Sequence, residues 1–149
     1  MLLEWIEADL AAVVGQHIYG VSVGKVGSAK DIQRIDELLS RLEAKVDKTH
    51  VGKTRVIPWL ETASGIANAT EICLASPRLV GVAFGPDDLL TDMGIHAASS
   101  EQASPLLEHA KCAMSIAARA AGILALDGPV SSASVRLDTS RLFLSSHNR

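Results

Sequence analysis

Two acidic positions carry the clearest chemical signal in this chain. Glu61 closes an apolar run, Val56-Ile57-Pro58-Trp59-Leu60, and is followed at once by Thr62-Ala63-Ser64-Gly65. Asp87 and Asp88 follow a second apolar run, Leu79 to Phe84, across a Gly85-Pro86 step. A carboxylate at the edge of a core must be solvated, paired or metal-bound, because burying it alone is prohibitive. Neither motif contains an arginine to neutralise it. If both runs are strands of one parallel sheet, their carboxyl ends share an edge, which is where such folds place their chemistry. Carboxylates converging there repel one another. A hard cation such as Mg²⁺ relieves this, taking one or two protein carboxylates plus substrate oxygens and water. Plainer readings stand beside that one. A glutamate after a strand suits the dipole of the helix that follows, and acids in a Gly-Pro-Asp-Asp turn are ordinary turn chemistry. The residues alone leave these alternatives open.

The elements that must position these acids alternate strand and helix. Residues 17–23 (HIYGVSV) read as a strand. Ile32, Ile35, Leu38, Leu39, Leu42 and Val46 then recur at helical spacing, with Ser28 and Asp31 offering an N-terminal cap. Residues 55–60 (RVIPWL) form a second strand, followed by a short helix through IANATEICLA that ends before Pro77. A third strand spans 79–84. The stretch GPDDLLTDMGIHAASSEQ reads as a loop leading to a long helix, with Ser104 as N-cap, Pro105 at the first helical position and Gly122 as the stop. Residues 123–126 (ILAL) make the fourth strand. Apolar strands alternating with helices predict an α/β fold, a parallel sheet covered by helices. After Gly128 the pattern dissolves into a serine-rich stretch. The expected organisation is one domain over 1–128 and a loosely ordered tail over 129–149.

Bulk properties exclude several classes. The 149 residues are 48% hydrophobic and 21% charged, enough for one domain with a real core. A net charge of −3 and 3% aromatic content give neither the basic footprint nor the stacking platforms of a nucleic-acid binder. The apolar runs are too interrupted to span a membrane. The acidic N-terminus lacks the basic start of a secretory signal, so a soluble, cytoplasmic protein is expected. Cys73 and Cys112 lie in apolar helical stretches and read as buried, reduced thiols. His17, His50, His96, His109 and His147 have no metal-ligand spacing. His96, just after the second motif, reads as an exposed loop residue. Ser64 and Ser76 lack a His-Asp partnership, and GKVGSAK lacks the P-loop order. Met114 and Trp5 read as core or interface residues.

The stretches GVSVGKVGSAKDI, IPWLETASGIANATEI, SPRLVGVAFGPDDLLTDMGI and AARAAGILALDGP together resemble the citrate lyase beta-subunit/malyl-CoA lyase branch of the HpcH/HpaI aldolase family, over roughly residues 9 to 128. The Glu-Thr-Ala-x-Gly-Ile and Phe-Gly-x-x-Asp-Leu elements are specific in combination. The resemblance implies a TIM-type barrel, of which this chain would supply about four strands. It implies Mg²⁺ held by Glu61 and Asp88, with Asp87 a neighbour rather than a ligand. Lys25 takes the place of the lysine in the family's Leu-Pro-Lys-Val-Glu pattern. Asp127 matches the aspartate of its Ile-Asp-Gly, which would border the substrate or CoA pocket. Both are candidate substrate-binding residues, against the plainer readings of a rim lysine and a strand-end cap.

The implied activity is a Mg²⁺-dependent carbon–carbon lyase acting on a β-hydroxyacyl-CoA such as citryl-CoA or malyl-CoA. Retro-aldol chemistry also needs a base, for which this stretch of sequence offers no candidate. There are departures too. Gly24 and Gly27 replace the proline and glutamate of the lysine pattern. A typical barrel has eight strands and about 250 residues, and the family's opening strands, with their substrate-gripping arginine, have no counterpart before Met1. The rival expectation is therefore a truncated, catalytically inactive fragment or scaffold subunit that keeps the metal motif. Unpaired sheet edges would make it self-associate as a homo-oligomer, or recruit a partner that supplies the missing strands.

Overall fold

The computed structural model of the chain describes residues 6–95 and 100–128, the side chains at 100–104 excepted. The sequence-predicted tail, Trp5, His96 and His147 lie outside these residues. Four strands, β1 (Gly20–Val23), β2 (Arg55–Leu60), β3 (Gly81–Phe84) and β4 (Leu124–Leu126), pair in sequence order and all in parallel. Helices join them: α2 (Ala29–Val46) after β1, α3 (Ala63–Ala67) and α4 (Ala69–Cys73) after β2, α5 (Pro86–Asp92) and α6 (Ser100–Ala121) after β3. A further helix, α1 (Ile6–Val13), precedes β1. This is four strands of a (β/α) barrel with covering helices, as the sequence predicted.

Helix α2 shows why the layers hold. Ser28 accepts a hydrogen bond from the Asp31 N–H while the Asp31 carboxylate accepts from the Ser28 N–H, a capping box. Ile32, Ile35, Leu38 and Leu39 are all but completely buried along one face. Each such side chain contributes roughly 1.5–3 kcal/mol by leaving water. On β2 the even-numbered residues Val56, Pro58 and Leu60 face the helices and are buried. Odd-numbered Ile57 and Trp59 take the opposite face and are only partly covered. Helix α6 presents Ala110, Met114, Ala117 and Ala118 to the core. Its end is a Schellman motif: Gly122 stands at φ +72°, the Ile123 N–H reaches the Ala118 carbonyl and the Gly122 N–H reaches that of Arg119.

Several expectations change. The Gly-Pro-Asp-Asp stretch is not loop but the start of α5. Pro86 sits in its first turn, Asp87 and Asp88 favour its dipole, and Leu89 and Leu90 bury its apolar side. Helix α6 begins at Ser100 rather than after Ser104, so Pro105 lies inside it. The helix after β2 breaks in two at Asn68, whose side-chain amide donates to the Gly27 carbonyl across the sheet edge (2.8 Å). Cys73 is buried as expected, but Cys112 is exposed, on the solvent side of α6. Among the described residues, no helix is long and apolar enough to cross a membrane.

Candidate metal centre

Parallel pairing brings the ends of β1, β2 and β3 to one edge, and with them Lys25, Glu61 and Asp88. Glu61 follows β2 directly and is only 8% exposed. Its Oε1 accepts a hydrogen bond from the Lys25 backbone N–H at 2.7 Å. Asp88, in the first turn of α5, lies near enough that its negative charge acts on the Glu61 carboxyl. The Lys25 ammonium stands 3.2 Å from Asp88 Oδ1, with both side chains about half exposed. Burial first, and the Asp88 charge with it, push the Glu61 carboxyl above the ordinary carboxylate range, against the Lys25 N–H and ammonium, which favour the charged form. The two acids singled out by the sequence lie at one sheet edge on either side of Lys25, Glu61 on its backbone N–H and Asp88 on its ammonium.

Two glycines make room for the Glu61 carboxylate. A Cβ at Gly24 would come within 2.8 Å of Glu61 Oε1, and one at Gly85 within 2.5 Å of Oε2. The position where the family pattern carries proline and this chain carries glycine thus lies against the carboxylate itself. A third tie was not legible in the sequence. Asp92, one turn beyond Asp88 on α5, accepts the Ala63 N–H at 2.8 Å, joining the helix after Glu61 to the helix that carries Asp88. The N-terminus of α3 is closed by Thr62, whose hydroxyl accepts the Gly65 N–H.

The other sequence candidates lie around this pair. Asp87 is exposed, and its carbonyl accepts the Thr91 hydroxyl at 2.9 Å. Asp127 stands at the end of β4 on the same edge, but its carboxylate is engaged with Lys111 at 3.1 Å and with the Gly128 N–H at 2.8 Å. Lys111 also lies 5.8 Å from the Phe84 ring centroid. A cavity of about 600 Å³ runs between α1 and β1, past Leu10 and Val21, and ends at Gly24, Lys25 and Glu61. That volume suits a small-molecule ligand.

The donor set is one of hard oxygens. Among the described residues no group of three or more His, Cys, Asp or Glu side chains gathers in a metal-binding arrangement. A buried and a half-exposed carboxylate at the end of a cavity fit an ion that keeps most of its coordination sphere for water and substrate, and this is how Mg²⁺ binds.

Comparison with known proteins agrees with the motifs. The model of the HpcH/HpaI aldolase/citrate lyase family matches residues 3–141. Citrate lyase subunit beta of Escherichia coli K12 is 36% identical over 124 residues, covering 83% of this chain and 40% of its own length. L-malyl-CoA/beta-methylmalyl-CoA lyase of Cereibacter sphaeroides is 31% identical over 136 residues, covering 81% of this chain and 42% of its own. Protein CitE of Mycobacterium tuberculosis, solved in complex with magnesium, acetoacetate and coenzyme A, superposes with a TM-score of 0.66 at 28% identity, over 91% of this chain and 44% of that one. The chain thus spans about two fifths of the length of the relatives it matches. Motifs, parallel topology and matched length converge, and the chain belongs to the HpcH/HpaI aldolase/citrate lyase family.

Proposed function

We propose that this chain provides the Mg²⁺-holding part of a carbon–carbon lyase acting on a β-hydroxyacyl-CoA such as citryl-CoA or malyl-CoA. The observation that carries the reading is the placing of Glu61 and Asp88 at the carboxyl edge of the sheet, both tied to Lys25 at the end of the cavity lined by Gly24 and Glu61. These two carboxylates would hold the ion. Bound there, Mg²⁺ supplies a Lewis acid that polarises a substrate carbonyl and offsets the charge developing on its oxygen.

The remaining work falls to the chain's own groups. The Lys25 N–H fixes Oε1 of Glu61, and Oε2 lies against Gly85, where no Cβ can crowd it. Asp92 holds the segments bearing the two acids in register. The cavity that ends at Lys25 and Glu61 gives a small oxo acid a place beside the pair. Asp127, with Lys111, borders the same edge and is the chain's candidate contact for the substrate or CoA portion.

A second reading has its own observation. Strands β1 and β4 each pair on one side only among the described residues, and Leu124 and Leu126 of β4 are 66% and 37% exposed. Such edges call for further strands, provided by a second copy or by a partner. On this reading the chain is a scaffold piece that binds metal without turning over substrate.

Titration of Mg²⁺ and Mn²⁺ into the protein and its Glu61→Gln and Asp88→Asn variants tests the site. Each substitution should weaken binding by roughly tenfold or more, as expected when one of two charged ligands is lost. Equal binding by all three proteins removes the metal reading. An assay of acetyl-CoA release from malyl-CoA and citryl-CoA then separates the two readings: turnover supports the lyase, and tight metal binding without turnover supports the scaffold.

A further inference from the structure

We propose that the Lys25 ammonium is the resident cation of the acid pair: it holds the place beside Asp88 that a divalent ion takes, and binding the ion requires it to leave. This rests on the reading that Glu61 and Asp88 hold the metal, and it assigns Lys25 a part in setting how tightly they do so.

The backbone around Lys25 is pinned. Its N–H is on Glu61 Oε1 at 2.7 Å. Two residues on, the Gly27 N–H is on Asp31 at 3.0 Å and the Gly27 carbonyl takes the Asn68 amide at 2.8 Å. Val26, between them, is 2% exposed, and its carbonyl lies so close to Gly65 that a Cβ there would come within 2.6 Å. Lys25 itself stands at φ +54°, a left-handed conformation that disfavours any side chain and suits glycine. A strained residue at a charged site points to a role for its side chain.

That side chain, unlike the backbone, is loosely held. It is 47% exposed and makes one ion pair, at 3.2 Å, to a carboxylate that is 48% exposed. A pair of this kind contributes little to stability, so a divalent ion displaces it cheaply. The geometry thus combines a fixed anchor with a weakly bound charge. In the free protein the ammonium offsets the crowding of the two acids. In the loaded protein it would repel the ion from a few ångströms away, and it swings into solvent while staying tethered to the same edge.

The test uses the full chain at low ionic strength and about pH 8, where the carboxylates are ionised. Mn²⁺ binding is measured by calorimetry for the native protein and for Lys25→Met, Lys25→Arg, Lys25→Gly and Glu61→Gln. Lys25→Met should bind roughly three- to tenfold tighter, from the loss of one positive charge near a divalent ion. Lys25→Arg should stay near the native value. In a second readout, acetylation of the Lys25 amine, followed by mass spectrometry, should speed up when Mg²⁺ is added. Lys25→Gly, free of the strained conformation, should melt at a higher temperature and bind metal as tightly as Lys25→Met. Tighter binding by the glycine variant alone would make loop conformation the cause and overturn the proposal. Unchanged or weaker binding by Lys25→Met, with Glu61→Gln still losing the ion, overturns it and leaves the metal site standing. Absence of binding in both the native protein and Lys25→Met defeats the metal reading and this inference with it.

Discussion

Glu43 and Glu61 are the same residue type, both withdrawn from solvent, at opposite edges of one sheet, and their carboxyls are driven in opposite directions. Glu43 is 0% exposed, near the end of α2 at the amino edge. Arg78 grips it with both ends of its guanidinium, at 3.0 and 2.9 Å, and the Gly52 and Thr54 N–H groups each donate to it at 2.7 Å. Arg78 spends its other donors on Asp36, Ser40 and the Thr54 carbonyl, so none of its hydrogen-bonding groups is left bare. Burial alone would raise Glu43, but these hydrogen bonds, the Arg78 one foremost, hold it at about 2. Glu61 has one backbone donor, a second carboxylate beside it, and a raised pKa. The amino edge is built to be satisfied within the fold, whereas the carboxyl edge is left short of positive charge. This division is the usual one in barrel enzymes, with stability at one face and chemistry at the other.

The contrast can be broken most severely at Arg78. Replacing it with methionine leaves Glu43 and Asp36 without their partner in a closed site, and should cost about 3–5 kcal/mol in urea denaturation. Next comes acid. The Glu43 carboxyl is lower in the folded chain than in the unfolded one, so its stabilisation is complete above its ordinary 4.5 and drains away as pH falls toward 2. A loss of about 3 kcal/mol is expected across that window, and Glu43→Gln should flatten it. Glu61 runs the other way. Its folded pKa is raised, so the folded chain holds the proton more tightly and stability falls as pH climbs through that range. Glu61→Gln should therefore raise the melting temperature of the metal-free protein slightly while weakening its metal response. The smallest effect is at Asp92. Its change to alanine removes a helix-end acceptor worth about 0.5–1 kcal/mol, and should weaken Mn²⁺ binding a few-fold by freeing α5 from α3.

Much of the fold was legible because its signals are local. Strand β2 has the bounds that its β-branched run predicts, and the Ser28 and Asp31 spacing is the capping box itself. The errors fell where one local signal has two meanings. Gly-Pro-Asp-Asp opens a turn and a helix equally well, and the choice was made by Leu89 and Leu90, which find the core only after folding. The shared edge of Glu61 and Asp88 was legible through topology, since parallel strands must end together. Arg78 was not legible at all. Its partners Asp36 and Glu43 lie 42 and 35 residues away, and nothing in the sequence around Arg78 distinguishes it from a surface arginine. Asp92 escaped for the same reason, as its acceptor role depends on a backbone N–H 29 residues earlier.

The break between α3 and α4 has a consequence for how this chain can change over generations. Asn68 ties the loop after β1 to the helix after β2, and Asp92 ties that helix to the one after β3. Three successive crossovers are thereby laced together, so a residue gained or lost in one would drag on its neighbours. Length variation should therefore stay away from this laced edge and leave its three crossovers at constant length.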